Sequence, residues 1–182
     1  MGKINMDPQP LLLPLPAVLA SCAHEDKRSI ITLAWAGIIS SMPPRIGLGI
    51  RPQRFSYNLI AASGEFAVSL PDENLMKAVH VCGSKSGREI DKFKELGLTP
   101  VRGKEITSPI IGEAPVTLEC KLDRIVEMEG SHHLFIGEIK NVLVEENILN
   151  EEGRVDPKKA GIITFGGGNY WRWGSFLESR QP

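Results

Sequence analysis

Arg51, Arg54 and Ser56 fall within six residues, directly after an apolar stretch in which Ile46, Leu48 and Ile50 alternate with two glycines. That alternation marks a strand, Ile46–Ile50. From Tyr57 to Ala62 the spacing turns helical, and Gly64 ends it. Two guanidiniums and a hydroxyl at a strand-to-helix junction suit an anion. Arginine forks match phosphate oxygens in pairs, and a serine hydroxyl adds a donor. A helix beginning near Phe55 aims free N–H groups at the same point. A plain solvated corner accounts for these residues equally well.

Two further stretches carry candidate chemistry. "GSKSGR" gathers Ser84, Lys85, Ser86 and Arg88 in one loop, but it does not match G-x-x-x-x-G-K-[ST]. A solvated loop is the plainer reading. "TLAWAG" puts Thr32 and Ala34 on one strand face and Trp35 on the other, beside Ala36 and Gly37. Trp35 is either a core residue or one wall of a site for a flat ligand. "GGGN" at Gly166–Asn169 lacks the following helix and distant acid of a dinucleotide fingerprint, so it reads as a tight turn. His80 and Cys82 with His132 and His133 match no metal-ligand spacing, and no metal site is expected. Nothing resembles a nucleophile elbow. Chemistry here is best carried by a cofactor.

The elements that must position these residues are mostly strands. Pro10–Pro16 reads as an extended, proline-stiffened segment; its prolines and the preceding Asp7 argue against an export signal. Ala17–Ala23, Ile30–Trp35, Ile46–Ile50 and Phe66–Leu70 read as strands, with "SSMPPR" breaking the second from the third. Asp72–Gly83 and Arg88–Leu96 read as helices. "APVTLECKLDRIVEMEG" alternates along its length: Val116, Leu118, Cys120, Leu122, Val126 and Met128 share a face, interrupted only by Arg124. His132–Val144 forms a second long strand, and "ITFGGGNYWRWGSF" gathers aromatics around a glycine run. Helices do not alternate with strands, so the expected fold is mainly β, an antiparallel barrel with short helical insertions.

The 182 residues suit one domain, 1–182, with residues 1–13 as an extended arm. A net charge of -1 gives no footprint for nucleic acid. No stretch approaches the roughly 20 apolar residues of a membrane span. Three well-separated cysteines, Cys22, Cys82 and Cys120, point to a reducing cytoplasm rather than a disulfide scaffold.

Three stretches, in order, carry a resemblance: "IITLAWAGIISSMPPRIGLGIRPQRFSYNLIAASGEFAVSLP", "CGSKSGREIDKF" and "LECKLDRIVEMEGSHHLFIGEI". Together they resemble the flavin reductase-like family of FMN-binding split barrels, flavoredoxin-type proteins above all, over roughly residues 14–145. The resemblance implies a six-stranded antiparallel split barrel and a homodimer with flavin near the subunit interface. It makes Arg51, Arg54 and Ser56 ligands of the FMN phosphate. Thr32, Ala34 and Trp35 match the strand lining the isoalloxazine and ribityl chain. Ser84, Lys85, Ser86 and Lys92 match the segment closing over the cofactor, with Lys92 near the pyrimidine edge. His132 matches a histidine near the nicotinamide, although Ser131 replaces the usual acid and His133 is adjacent. The implied activity is an NAD(P)H-dependent flavin reductase, with FMN or FAD as flavin and NADH or NADPH as hydride donor. The alternative is a flavoredoxin-like FMN electron carrier reduced by a redox protein partner. A barrel that binds haem instead is disfavoured by the intact phosphate cluster.

Overall fold

The computed structural model describes residues 2–172 and 176–178. Its strands are β1 (Leu15–Pro16), β2 (Val18–His24), β3 (Lys27–Leu33), β4 (Ala36–Ser41), β5 (Pro44–Ile50), β6 (Glu65–Leu70), β7 (Pro100–Arg102), β8 (Pro109–Ile111), β9 (Val116–Val126), β10 (His133–Val144), β11 (Ile163–Gly166) and β12 (Asn169–Arg172). The helices are α1 (Phe55–Ser63), α2 (Met76–Ser84), α3 (Lys92–Leu96) and α4 (Pro157–Ala160). The principal sheet has seven strands in the order β3-β2-β6-β9-β10-β5-β4, each pairing antiparallel. It therefore exceeds the expected six. Two small sheets, β1-β11-β12 and β7-β8, complete the fold. No helix among the described residues is long and apolar enough to cross a membrane.

The main core lies inside the curled sheet. Val18, Ala20 and Cys22 of β2 meet Leu48 and Ile50 of β5, Phe66 and Val68 of β6, and Phe135 of β10, with Leu59 and Ile60 of α1 among them. The opposite face of β2 and β3 carries Leu19 and Ile30, which pack under Val79 and Cys82 of α2 and Phe93 of α3. Because helices cover that outer face, Val18–Cys22 is buried without alternation. Gly137 of β10 is a close approach: a Cβ there would strike Phe66 Cζ and come within 2.8 Å of Phe66 Cε1.

Several sequence expectations change. "SSMPPR" does not break the sheet; it turns β4 into β5 as a hairpin. The helix expected from Arg88 begins only at Lys92, where Asp91 caps it by accepting from the N–H groups of Phe93 and Lys94. Trp35 lies beyond the end of β3 and is 41% exposed, so it is not a core residue. In β9, Leu122 pairs with Gly137 and Arg124 with Ile136, which makes Asp123 a bulge. The bulge flips the phase: Ile125 packs against the core and Val126 faces out.

The polar face of β6 and β9 is not solvated either. Residues 103–108 cross it and are held by two buried carboxylates. Glu119 Oε2 accepts from the N–H groups of Glu105 (2.7 Å) and Ile106 (3.2 Å), while its Oε1 accepts from Lys104 N–H and Asn141 Nδ2. Glu65 Oε1 accepts from the N–H groups of Thr107 and Ser108, both at 2.7 Å, and from the Thr107 hydroxyl. Its Oε2 pairs with Lys121 at 2.5 Å. Burial raises the Glu65 pKa, but Lys121 and these donors together outweigh it and bring the carboxyl down to about 2.

Candidate functional site

The turn between β5 and α1 gathers the arginines. Arg51 follows β5 directly, Pro52 comes next, and Arg54 sits extended at the N-cap of α1, where no side chain caps the first turn. The helix thus starts with free N–H groups and a cationic residue in place of the usual acceptor. A cleft of about 450 Å³ opens at this point. Arg51, Arg54, Lys85, Arg88 and Lys92 line it, and no carboxylate is among its described lining residues. Ser56 and Ser86 add hydroxyls to the same wall. Five cations around one uncapped helix start make a site for a multiply charged anion.

Two details show how closely this cleft is built. Ser29 Oγ lines it and is buried, with no hydrogen-bond partner among the described residues. Gly87 presses on the same corner: a Cβ there would lie on Ser29 Oγ and 2.8 Å from Phe55 Cδ1. Lys92 is only 3% exposed, and its Nζ donates to the carbonyls of Ile30 (2.7 Å) and Cys82 (3.0 Å). Burial lowers its pKa, and the nearby Arg54 charge adds to that. Lys92 thus lies in the cationic cleft with the arginines and is absent from the lining of the cleft beside Trp35. Ser84 lies apart from both clefts, its hydroxyl donating to the His80 carbonyl one turn back in α2.

A second cleft, about 440 Å³, continues from the first across Ile31, Arg51 and Arg54. Thr32, Ala34, Trp35 and His132 line it, joined by Phe165 of β11. The Thr32 hydroxyl donates to the Val79 carbonyl at 2.6 Å, which leaves its lone pairs facing other donors. Trp35 and His132 stack with ring centroids 4.1 Å apart. Arg51 Nε donates to His132 Nε2 at 3.4 Å, and Ser131 Oγ is 2.8 Å from Nδ1. Burial lowers the His132 pKa, as do the charges of Arg51 and Arg54, so the neutral ring is favoured. His133 points elsewhere, its Nδ1 3.0 Å from the Tyr57 hydroxyl. The adjacent histidines are thereby told apart, and only His132 borders the cleft.

Sequence reading passed over Phe165, Ser29 and Gln53. Phe165 reaches the site because β11 pairs with β1, a contact with no local signature. The "GGGN" turn behaves as expected: Gly167 and Gly168 both take positive φ and join β11 to β12. Trp173, in the same aromatic stretch, lies outside the described residues. His80 packs edge-on against Tyr170, far from the roles of His132 and His133. Among the described residues no three His, Cys, Asp or Glu side chains gather as a metal ion requires.

This geometry has close counterparts. An uncharacterized protein of Archaeoglobus fulgidus is 37% identical over 117 residues, which span 64% of this chain and 66% of that relative's length. The flavoredoxin of Desulfovibrio vulgaris (Miyazaki F) is similar over 98% of this chain and 97% of its own, at 34% identity and a TM-score of 0.92. An FMN-binding protein from Thermus thermophilus, solved with bound 1-cyclohex-2-enone, covers 99% of both chains at 27% identity and a TM-score of 0.83. The family described as flavin reductase like domain matches residues 11–170. With that match running through the barrel, the cationic cleft and the Trp35 cleft alike, the chain belongs to the flavin reductase like domain family.

Proposed function

We propose that the chain is one FMN-binding oxidoreductase domain, an NAD(P)H-dependent flavin reductase. The observation that carries this reading is the junction of the two clefts. Five cations surround an uncapped helix start, and that cleft runs directly into one walled by Thr32, Ala34 and Trp35. A phosphate tail and a flat ring on one ligand match this pair, and the unpartnered Ser29 hydroxyl leaves a donor for the anionic end. FAD shares the same flavin and phosphate and is the other candidate. Likeness to the FMN-binding protein of Thermus thermophilus and to flavoredoxin supports the assignment.

Bound FMN would supply the redox chemistry, accepting hydride from NADH or NADPH. The chain's own residues bind and orient. Arg51, Arg54 and Ser56 hold the phosphate, Lys85 and Ser86 close over it, and Lys92 contributes a buried positive charge. Thr32 and Ala34 border the ring. His132, in tilted contact with Trp35, borders the cleft where a nicotinamide is positioned. Orientation rather than proton transfer is the protein's main contribution. Dimerisation is part of the proposal: Ile38 and Ile39 of the edge strand β4 are 64% and 50% exposed, and Met42 in the turn to β5 is 90% exposed. Apolar exposure of that kind suits a contact with a second copy. A cytoplasmic setting fits three free, buried cysteines.

A second reading is a flavoredoxin-like carrier that takes electrons from a redox protein. The near full-length likeness to the Desulfovibrio vulgaris flavoredoxin favours it. An anaerobic absorption spectrum of the FMN-reconstituted protein, recorded before and after NADH and then NADPH, separates the two. Rapid bleaching of the flavin band is expected. A band that stays oxidised with both nicotinamides overturns the reductase and leaves the carrier.

A further inference from the structure

We propose that Arg88 is a latch that selects a mononucleotide flavin over a dinucleotide one, an inference that rests on the flavin reading above. A third cleft, about 500 Å³, lies on the far side of the cationic one. The two share Phe55, Gly87 and Arg88, which therefore form the wall between them. Two of the three are fixed. Phe55 begins α1, and Gly87 is pressed so closely on Ser29 and Phe55 that a methyl group has no room there.

The third is a single exposed side chain. The Arg88 guanidinium lies over the Phe55 ring, 5.4 Å from its centroid, and its Nη1 donates to the Gln53 carbonyl at 3.2 Å. It thereby ties the 84–88 loop to the turn that carries Arg51 and Arg54. A phosphomonoester ends inside this wall. A pyrophosphate has to pass it to bring its second phosphate and nucleoside into the outer cleft.

Charge changes at the same point. The inner cleft has five cations and no carboxylate among its described lining. The outer one sets Lys27, Arg28 and Arg88 against Asp26, Glu89 and Asp91, with Arg28 already bound to Asp91 at 2.7 Å. A second phosphate crossing from the inner cleft thus meets carboxylates as well as the Arg88 side chain. Attraction for the first phosphate and obstruction of the second together make a selective site.

Fluorescence titrations with FMN and with FAD test this on the wild type, Arg88→Ala and Arg88→Lys. Arg88 is exposed, so its replacement leaves the core intact. The wild type is expected to bind FMN about tenfold or more tighter than FAD. In Arg88→Ala that ratio is expected to fall to about threefold or less, with FAD gaining. Arg88→Lys keeps the charge but loses the planar fork and the stack, and it should follow Arg88→Ala. Equal affinities in the wild type, an unchanged ratio in Arg88→Ala, or restoration of the wild-type ratio by lysine overturns the latch. Each of these leaves FMN binding in place. A wild type that binds neither flavin overturns the flavin reading and the latch with it.

Discussion

The His132 imidazole lies on the Trp35 indole, ring centroids 4.1 Å apart and planes inclined by 49°, and Arg51 donates to the same imidazole. One residue thus links the two clefts: Arg51 faces the anion site and steadies the ring that borders the flat site. The contact also fixes the sign of the His132 titration. Burial disfavours the charged ring, and protonation places a third positive charge beside Arg51 and Arg54, so His132 should titrate below its ordinary 6.5. A proton NMR titration should show its midpoint below that value. In His132→Ala, hydride transfer from nicotinamide should slow by about tenfold, a typical loss of orientation, while FMN affinity changes little. A fall in FMN affinity with unchanged reduction rate would place His132 at the anion instead.

Arg51→Ala should remove a charge-assisted contact to phosphate. The expected loss is roughly 1.5–3 kcal/mol, about ten- to a hundredfold in FMN affinity. The measurement is a flavin fluorescence titration at fixed ionic strength. Riboflavin, which lacks the phosphate, should bind the variant and the parent alike. Unchanged FMN affinity would remove Arg51 from the anion site.

Glu65 should make the fold sensitive to acid. Its folded pKa, about 2, lies below the ordinary 4.5. The stabilisation it supplies is therefore complete above about pH 4.5 and disappears as pH falls toward 2. The shift corresponds to roughly 2–3 kcal/mol once the screening of half-exposed Lys121 is allowed for. Urea denaturation of Glu65→Gln against the parent should show the variant less stable at pH 7. That gap should close between pH 4.5 and 2, and a gap independent of pH contradicts the assignment.

Gly137→Ala should be destabilising although alanine favours strands more than glycine does. The new methyl meets the ring of Phe66, which is fully buried. Overpacking of this kind costs typically about 1–3 kcal/mol. Chemical denaturation would measure it, and the double variant Gly137→Ala/Phe66→Leu should recover part of the loss. No loss in the single variant would mean that the barrel interior is looser than its contacts indicate.

The strand-rich architecture was legible because alternation in β5 and β9 and the full burial of β2 leave plain hydrophobic patterns. That Arg51, Arg54 and Ser56 share one cleft was legible because they are close in sequence. What escaped depended on distant pairing. Phe165 enters the site only through β11 on β1, and the phase flip at Ile125 follows from a bulge opposite Gly137. Trp35 left two readings open, core residue or wall of a flat site, because a lone aromatic among small residues gives no sign that its strand has already ended. Glu65 and Glu119 carry no local sign of burial, since the chain that buries them arrives from 103–108.

Those two carboxylates have a consequence for how the molecule tolerates change. Apart from the Thr107 hydroxyl, they grip residues 104–108 by main-chain N–H groups, which almost every amino acid carries. The side chains of Lys104 and Glu105 are thus open to wide replacement without loosening the loop. Its length is a different matter. Deleting or inserting one residue slides every N–H past its acceptor and leaves Glu65 with Lys121 alone and Glu119 with Asn141 alone. At Lys104 and Glu105 the segment should accept new letters freely, and new lengths hardly at all, which makes those two exposed positions places to graft a reporter side chain.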